Sequence, residues 1–185
     1  MSGGVPVTQA MRSDAVRNRA LVLESASELF AKEGMSVSIQ EIARHAGVGV
    51  GTVGRHFATK DDLFDAILAD GVARLIDLGE ELVESLDPGE AFFEYFTATI
   101  RAGATNRGLA QRLAQVAGDP KDLSKFIGVD LLCDQLEKIL KAAQAVGAVR
   151  ADLSLEDVET LMAACMSRQN SLQPMMNAVA AGLRA

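Results

Sequence analysis

The chain is predicted to be an all-α protein of nine helices in two domains, and three observations carry that expectation. Ala, Leu and Met are plentiful while aromatic residues make up only 4% of 185 residues, a composition that suits packed helices better than sheets. No stretch alternates apolar and polar residues convincingly over the length of a strand, whereas apolar residues recur at helical spacing along most of the chain. Strong capping sequences divide that periodic text into segments.

The opening Met1-Ser2-Gly3-Gly4-Val5-Pro6 has neither the basic nor the apolar region of a signal peptide, so residues 1–13 are expected to form a disordered arm. A first helix is expected from about Asp14 to Glu33, with Val22, Ala26, Leu29 and Phe30 on one face and Gly34 ending it. Ser38-Ile39-Gln40-Glu41 reads as a capping box that opens a short helix, stopped after Ala46 by Gly47. Gly49 or Val50 begins a third helix that ends near Phe57. Thr59-Lys60-Asp61-Asp62 opens a long fourth helix, with Leu63, Ile67, Val72, Leu75 and Leu82 among its apolar positions.

Asp87-Pro88-Gly89-Glu90 starts the next helix, with Asp as cap and Pro at the first helical position; Phe92, Phe96 and Ile100 follow at four-residue spacing. Asn106 and Gly108 suggest a break before a short helix to about Val116, and Gly118-Asp119-Pro120 a loop. A long helix from about Leu123 to Val146, one from Ser154 to about Ser167, and one near 174–183 complete the set. The domain boundary is expected inside the fourth helix, giving 14–60 and 61–185.

Composition limits the function classes. The net charge of −7 hides an asymmetry: residues 1–60 carry seven basic against five acidic groups, and residues 61–185 eleven against twenty. A head at +2 on a body at −9 fits one module that faces DNA and one that DNA repels. No apolar run reaches the length of a membrane span. Cys133 and Cys165 lie in apolar helical stretches, far from any metal-ligand spacing, and read as buried thiols suited to a reducing cytoplasm. No catalytic set, cofactor loop or metal cluster is evident.

Ser38 to Phe57 has the size and punctuation of a helix-turn-helix, with Ile42, Ala43, Val48 and Val53 as its small core and Gly47 supplying a positive φ in the turn. An ordinary helical hairpin shares these features. The stretch from Gly47 to Phe64, GVGVGTVGRHFATKDDLF, resembles the recognition-helix signature of the TetR family of transcriptional regulators, GVSxGTLYRHFxxKExLF. Leu29-Phe30-Ala31-Lys32-Glu33-Gly34 and Ser38-Ile39-Gln40-Glu41-Ile42-Ala43 are similar to the family's first two helices, so the close likeness covers about residues 15–70. The resemblance implies nine or ten helices, a C-terminal ligand pocket and a homodimer built by the last two long helices, here near 154–168 and 174–183. Ala163, Ala164, Leu161, Leu172, Val179 and Leu183 are expected to supply that interface.

The same resemblance assigns roles in binding double-stranded operator DNA. Ser38 and Thr52 are expected to donate to phosphates, Arg55 and His56 to touch phosphate or base edges, and Lys60 to pair with a phosphate. Phe57 is expected to pack beneath the third helix. Arg17 and Arg19 either reach phosphates from the first helix or stay solvated. Three departures stand out: Gly49 replaces the usual Ser cap, Val50 the common basic residue and Gly54 the common Tyr. Three glycines should leave the recognition helix floppy when unbound, and Val50 could meet a thymine methyl.

For the sensing half, the candidate wall is Phe92, Phe93, Phe96, Ile100, Met162 and Met166, with Gln111 and Gln115 as polar members. Taken singly, each of these residues reads first as ordinary core, and the pocket is what the family resemblance implies. The expectation is a ligand-responsive regulator, a repressor released by a small lipophilic or aromatic effector. The alternative is a small-molecule-binding helical protein that has lost specific operator binding, which the glycine-rich third helix motivates.

Overall fold

The computed structural model describes residues 7–105, 129–167 and 172–185. Among them are eight α-helices: α1 (Val7–Glu33), α2 (Ile39–His45), α3 (Val50–His56), α4 (Lys60–Ser85), α5 (Pro88–Thr105), α6 (Val129–Ala145), α7 (Leu155–Met166) and α8 (Leu172–Leu183). No strand occurs among the described residues, and no helix there is long and apolar enough to cross a membrane. The count is eight where the sequence suggested nine; the short helix expected before Val116, like the expected start near Leu123, lies outside the described residues. The chain divides into two compact units, residues 1–67 and 68–185.

One boundary differs clearly from the sequence expectation. The first helix begins at Val7, so residues 7–13 of the expected arm are helical. Residues 7–13 hold no proline or glycine to break a helix, and Gln9, Ala10 and Met11 favour one.

The caps fall where the sequence places them. Ser38 Oγ accepts from the Glu41 amide at 3.2 Å while Glu41 Oε2 accepts from the Ser38 amide at 2.8 Å. Thr59 and Asp62 make the same reciprocal pair at the start of α4, and Ser154 and Asp157 repeat it for α7. Asp87 accepts from the Gly89 and Glu90 amides to open α5.

In the first unit α1 packs on both α2 and α3. Val22, Ala26 and Phe30 from α1 meet Val37, Ile42, Ala43, Val53 and Phe57, and Leu63 and Phe64 close the core from the first turn of α4. Phe30 meets Phe64 edge to face, ring centroids 5.6 Å apart, worth about 0.5–1.5 kcal/mol beyond the area buried.

In the second unit α5 is the central helix, packed by α6, α7 and α8. Its Phe92, Tyr95, Phe96 and Ile100 are wholly buried with Leu136, Ile139, Val158, Met162 and Cys165. Three glycines, Gly79, Gly89 and Gly103, allow close approach. A Cβ on Gly79 of α4 would lie 2.9 Å from both the Tyr95 ring and Gln135, and one on Gly103 of α5 would lie 2.5 Å from Met166 Sδ. The chain end is strapped back onto this unit: the Arg150 amide donates to Leu183 O and the Ala185 amide to Ala148 O.

Candidate nucleic-acid interface and effector domain

The turn between α2 and α3 is compact. The Gly47 amide donates to Arg44 O and the Val48 amide to Ala43 O, and Gly47 sits at φ +67°, a conformation that glycine adopts without strain. The turn sets α3 so that Val53 is wholly buried and Phe57, just past the helix end, is nearly so. With those two residues underneath, Val50 and Arg55 face solvent, and Thr52 and His56 are half-buried at the edges. The α3 cap is Gly49, in extended backbone and without a side-chain hydrogen bond. Its carbonyl accepts from the Thr52 amide at 2.8 Å.

Several polar groups near this face already have partners within the unit. Ser38 Oγ donates to Glu41 Oε2 at 2.7 Å, so its proton points into the capping box and beside a carboxylate. Those hydrogen bonds hold the Glu41 carboxyl below the usual range. Half-buried Lys60 turns inward: Nζ donates to Met35 O at 2.6 Å and to Val37 O at 3.3 Å. The Arg19 guanidinium lies over the Phe57 ring, 5.4 Å from its centroid. His45 of α2 stands 3.7 Å from the Glu28 carboxylate of α1.

In the second unit, four of the candidate wall residues, Phe92, Phe96, Ile100 and Met162, are brought together in the core. Phe93 and Met166 are half-buried at its border, Phe93 beneath the Arg184 guanidinium at 4.0 Å. Gln111 and Gln115 lie outside the described residues. Cys133 is half-buried; burial first, then a hydrogen bond with Glu159, pushes its thiol up to about 12. Cys165 is buried.

Known proteins share this arrangement. Residues 87–185 match the C-terminal domain of SbtR-like transcriptional regulators of the TetR type, and residues 22–67 match the bacterial regulatory proteins of the tetR family. A solved TetR transcription regulatory protein from Mycobacterium vanbaalenii is 37% identical, superposes with a TM-score of 0.73, and is covered over 99% of its length by 95% of this chain. The chain belongs to the TetR family. A TetR transcriptional regulator from Streptomyces coelicolor is 30% identical at a TM-score of 0.69, covering 90% of this chain and 98% of its own. Helix-turn-helix transcriptional regulators from Staphylococcus aureus are 46% identical over 54 residues, a match spanning only 29% of either chain.

Within this TetR-family frame, the residues expected to face DNA all belong to the first unit. Gly49, Val50, Thr52, Arg55 and His56 share α3 and its cap, Ser38 caps α2, and Lys60 opens α4. Arg17 is exposed on α1. The inward turn of Lys60 and the placement of Arg19 over Phe57 each depend on a partner distant in sequence that periodicity does not reveal. Leu183, expected at a dimer interface, is instead buried in its own unit's core, because the strap at Arg150 holds the end of α8 inward. Tyr95, which stands with Phe92, Phe93 and Phe96 in the sequence, is wholly buried among the core residues of the second unit.

Proposed function

We propose that the protein is a ligand-responsive operator-binding regulator. It acts as a homodimer whose α3 helices enter successive major grooves of a pseudo-palindrome, and a small lipophilic or aromatic effector releases it. The observation that carries this reading is the division of α3 into two faces. Val53 and Phe57 anchor it from below, Val50 and Arg55 face solvent, and Thr52 and His56 lie half-buried at the edges. A helix so placed can lay its outer face in a groove without disturbing its own core. The apolar and Met-rich core around α5 supports the effector half of the reading, since such walls adapt to lipophilic molecules. Dimerisation is assigned to α7 and α8, where Ala163 is exposed and Leu161, Ala164, Leu172 and Val179 are half-buried.

The test is binding to genomic fragments selected by the protein, compared between wild type and Arg55→Ala at fixed salt. If Arg55 reads a base edge, the variant loses roughly 1–3 kcal/mol and relaxes its preference at one position. Equal loss on all sequences makes it a phosphate contact. The uncapped Gly49 and apolar Val50 favour one rival, a helical small-molecule binder that has lost its operator. That rival is supported if no fragment is enriched while a lipophilic compound still binds.

A further inference from the structure

The second unit contains a polar spot that stands unsatisfied among the described residues. Tyr95 and Thr99 stand one turn apart on the same face of α5, 0% and 7% exposed. Among the described residues neither the phenol oxygen nor Thr99 Oγ1 has a hydrogen-bond partner, although Thr99 lies close enough to ease ionisation of the phenol. Buried hydroxyls are nearly always paired, so two adjacent orphans in an apolar core call for a missing partner. Phe92, Phe96 and Ile100 share the helix with them, and α4 comes to ring contact at Gly79.

We infer that Tyr95 and Thr99 are the polar anchor of the effector site, and that they take a neutral, mostly apolar molecule through a single carbonyl oxygen. The inference rests on reading the second unit as effector-binding and names the chemistry that site accepts. Each hydroxyl offers one proton, a carbonyl oxygen offers two lone pairs, and hydroxyls on one helix face can donate to the same oxygen. A hydrocarbon leaves both protons unpaired. A carboxylate fits poorly, because burial already pushes the Tyr95 phenol up to about 12, the sign of a spot hostile to negative charge. The Cys133 thiol, itself hydrogen-bonded with Glu159, pushes in the same direction.

Tyr95 is the only tyrosine in a chain without tryptophan, so intrinsic emission reports on this spot alone. The experiment titrates the full-length protein with methyl octyl ketone and acetophenone, their carboxylate counterparts decanoate and benzoate, and the hydrocarbons decane and ethylbenzene. The ketones are expected to change Tyr95 emission saturably and to bind more tightly than the matched acids and hydrocarbons. Tyr95→Phe and Thr99→Val, followed by calorimetry, should each weaken ketone binding roughly three- to tenfold and leave hydrocarbon binding unchanged. Their melting temperatures should hold or rise, since each substitution removes an unpaired buried group. Ketone binding undiminished in the double variant overturns the anchor, as does preference for the acids or a failure of both ketones to perturb Tyr95. Operator release tells the two readings apart. Release of the double variant by any compound, with undiminished affinity, removes the anchor alone, whereas DNA binding indifferent to every bound compound removes the effector reading beneath it.

Discussion

At the scale of single residues, the telling side chains are those that spend their hydrogen-bonding capacity inside the protein. Lys60 is the clearest. Its ammonium holds the carbonyls of Met35 and Val37, which tie the end of the α1–α2 connection to the first turn of α4. Hydrogen bonds from a charged donor are worth about 1.5–3 kcal/mol, so Lys60→Met should lower the melting temperature measurably. If the third ammonium proton also meets a phosphate, the variant's salt dependence of DNA binding should flatten by about one unit. A drop in stability with no change of slope would assign Lys60 to the fold alone. Tyr95 gives a second test. Its phenol titrates at about 12 in the folded chain against an ordinary 10.0, so the folded state holds the proton more tightly. The associated stability is complete below the unfolded value and is lost as pH rises from about 10 toward 12. Denaturant melts across that window should show a decline that Tyr95→Phe lessens.

At the scale of elements, glycine separates helices that need space from helices that merely tolerate it. A Cβ at Gly51 or Gly54 would meet nothing within 4 Å, so alanine there should stabilise α3 by about 0.5–1 kcal/mol per site. Amide exchange across 50–56 should slow in Gly51→Ala and Gly54→Ala. Gly79 is the opposite case: its new methyl would strike the rigid Tyr95 ring at 2.9 Å, so Gly79→Ala should destabilise by about 1–3 kcal/mol despite better helix propensity. At Gly103 the obstacle is the flexible end of Met166, and alanine should be close to neutral. Thermal melts of the four variants check the ranking. These contrasts also mark what the sequence could reveal. The α2–turn–α3 unit was legible because its signals are local: a Ser–Glu box, a Gly that must turn, and a Val and a Phe at helical spacing. The inward Lys60, the Arg19–Phe57 contact and the Gly79 approach were not, because periodicity names a buried face and not the partner that covers it. α1 starts earlier than the periodicity suggests because residues 7–13 hold no proline or glycine, and an apolar face marks the packed part of a helix and not its full extent.

At the scale of the whole molecule, the proposed activity needs two copies of the chain. Sedimentation at micromolar concentration should show a dimer, and Ala163→Arg, which places a charge on exposed α7 surface, should shift it toward monomer without unfolding it. A pseudo-palindromic site requires both heads, so that variant should also lose most of its operator affinity while each second unit still binds ligand. The most direct test of the central claim is the ratio of affinities for a selected genomic fragment and a scrambled duplex of equal length, measured by fluorescence anisotropy at one near-physiological salt. Specific regulators bind their sites about a thousandfold or more above nonspecific DNA, and α3 with its outward Val50 and Arg55, flanked by Thr52 and His56, predicts a ratio of that order. A ratio near one, from a protein that is folded and dimeric, would contradict it.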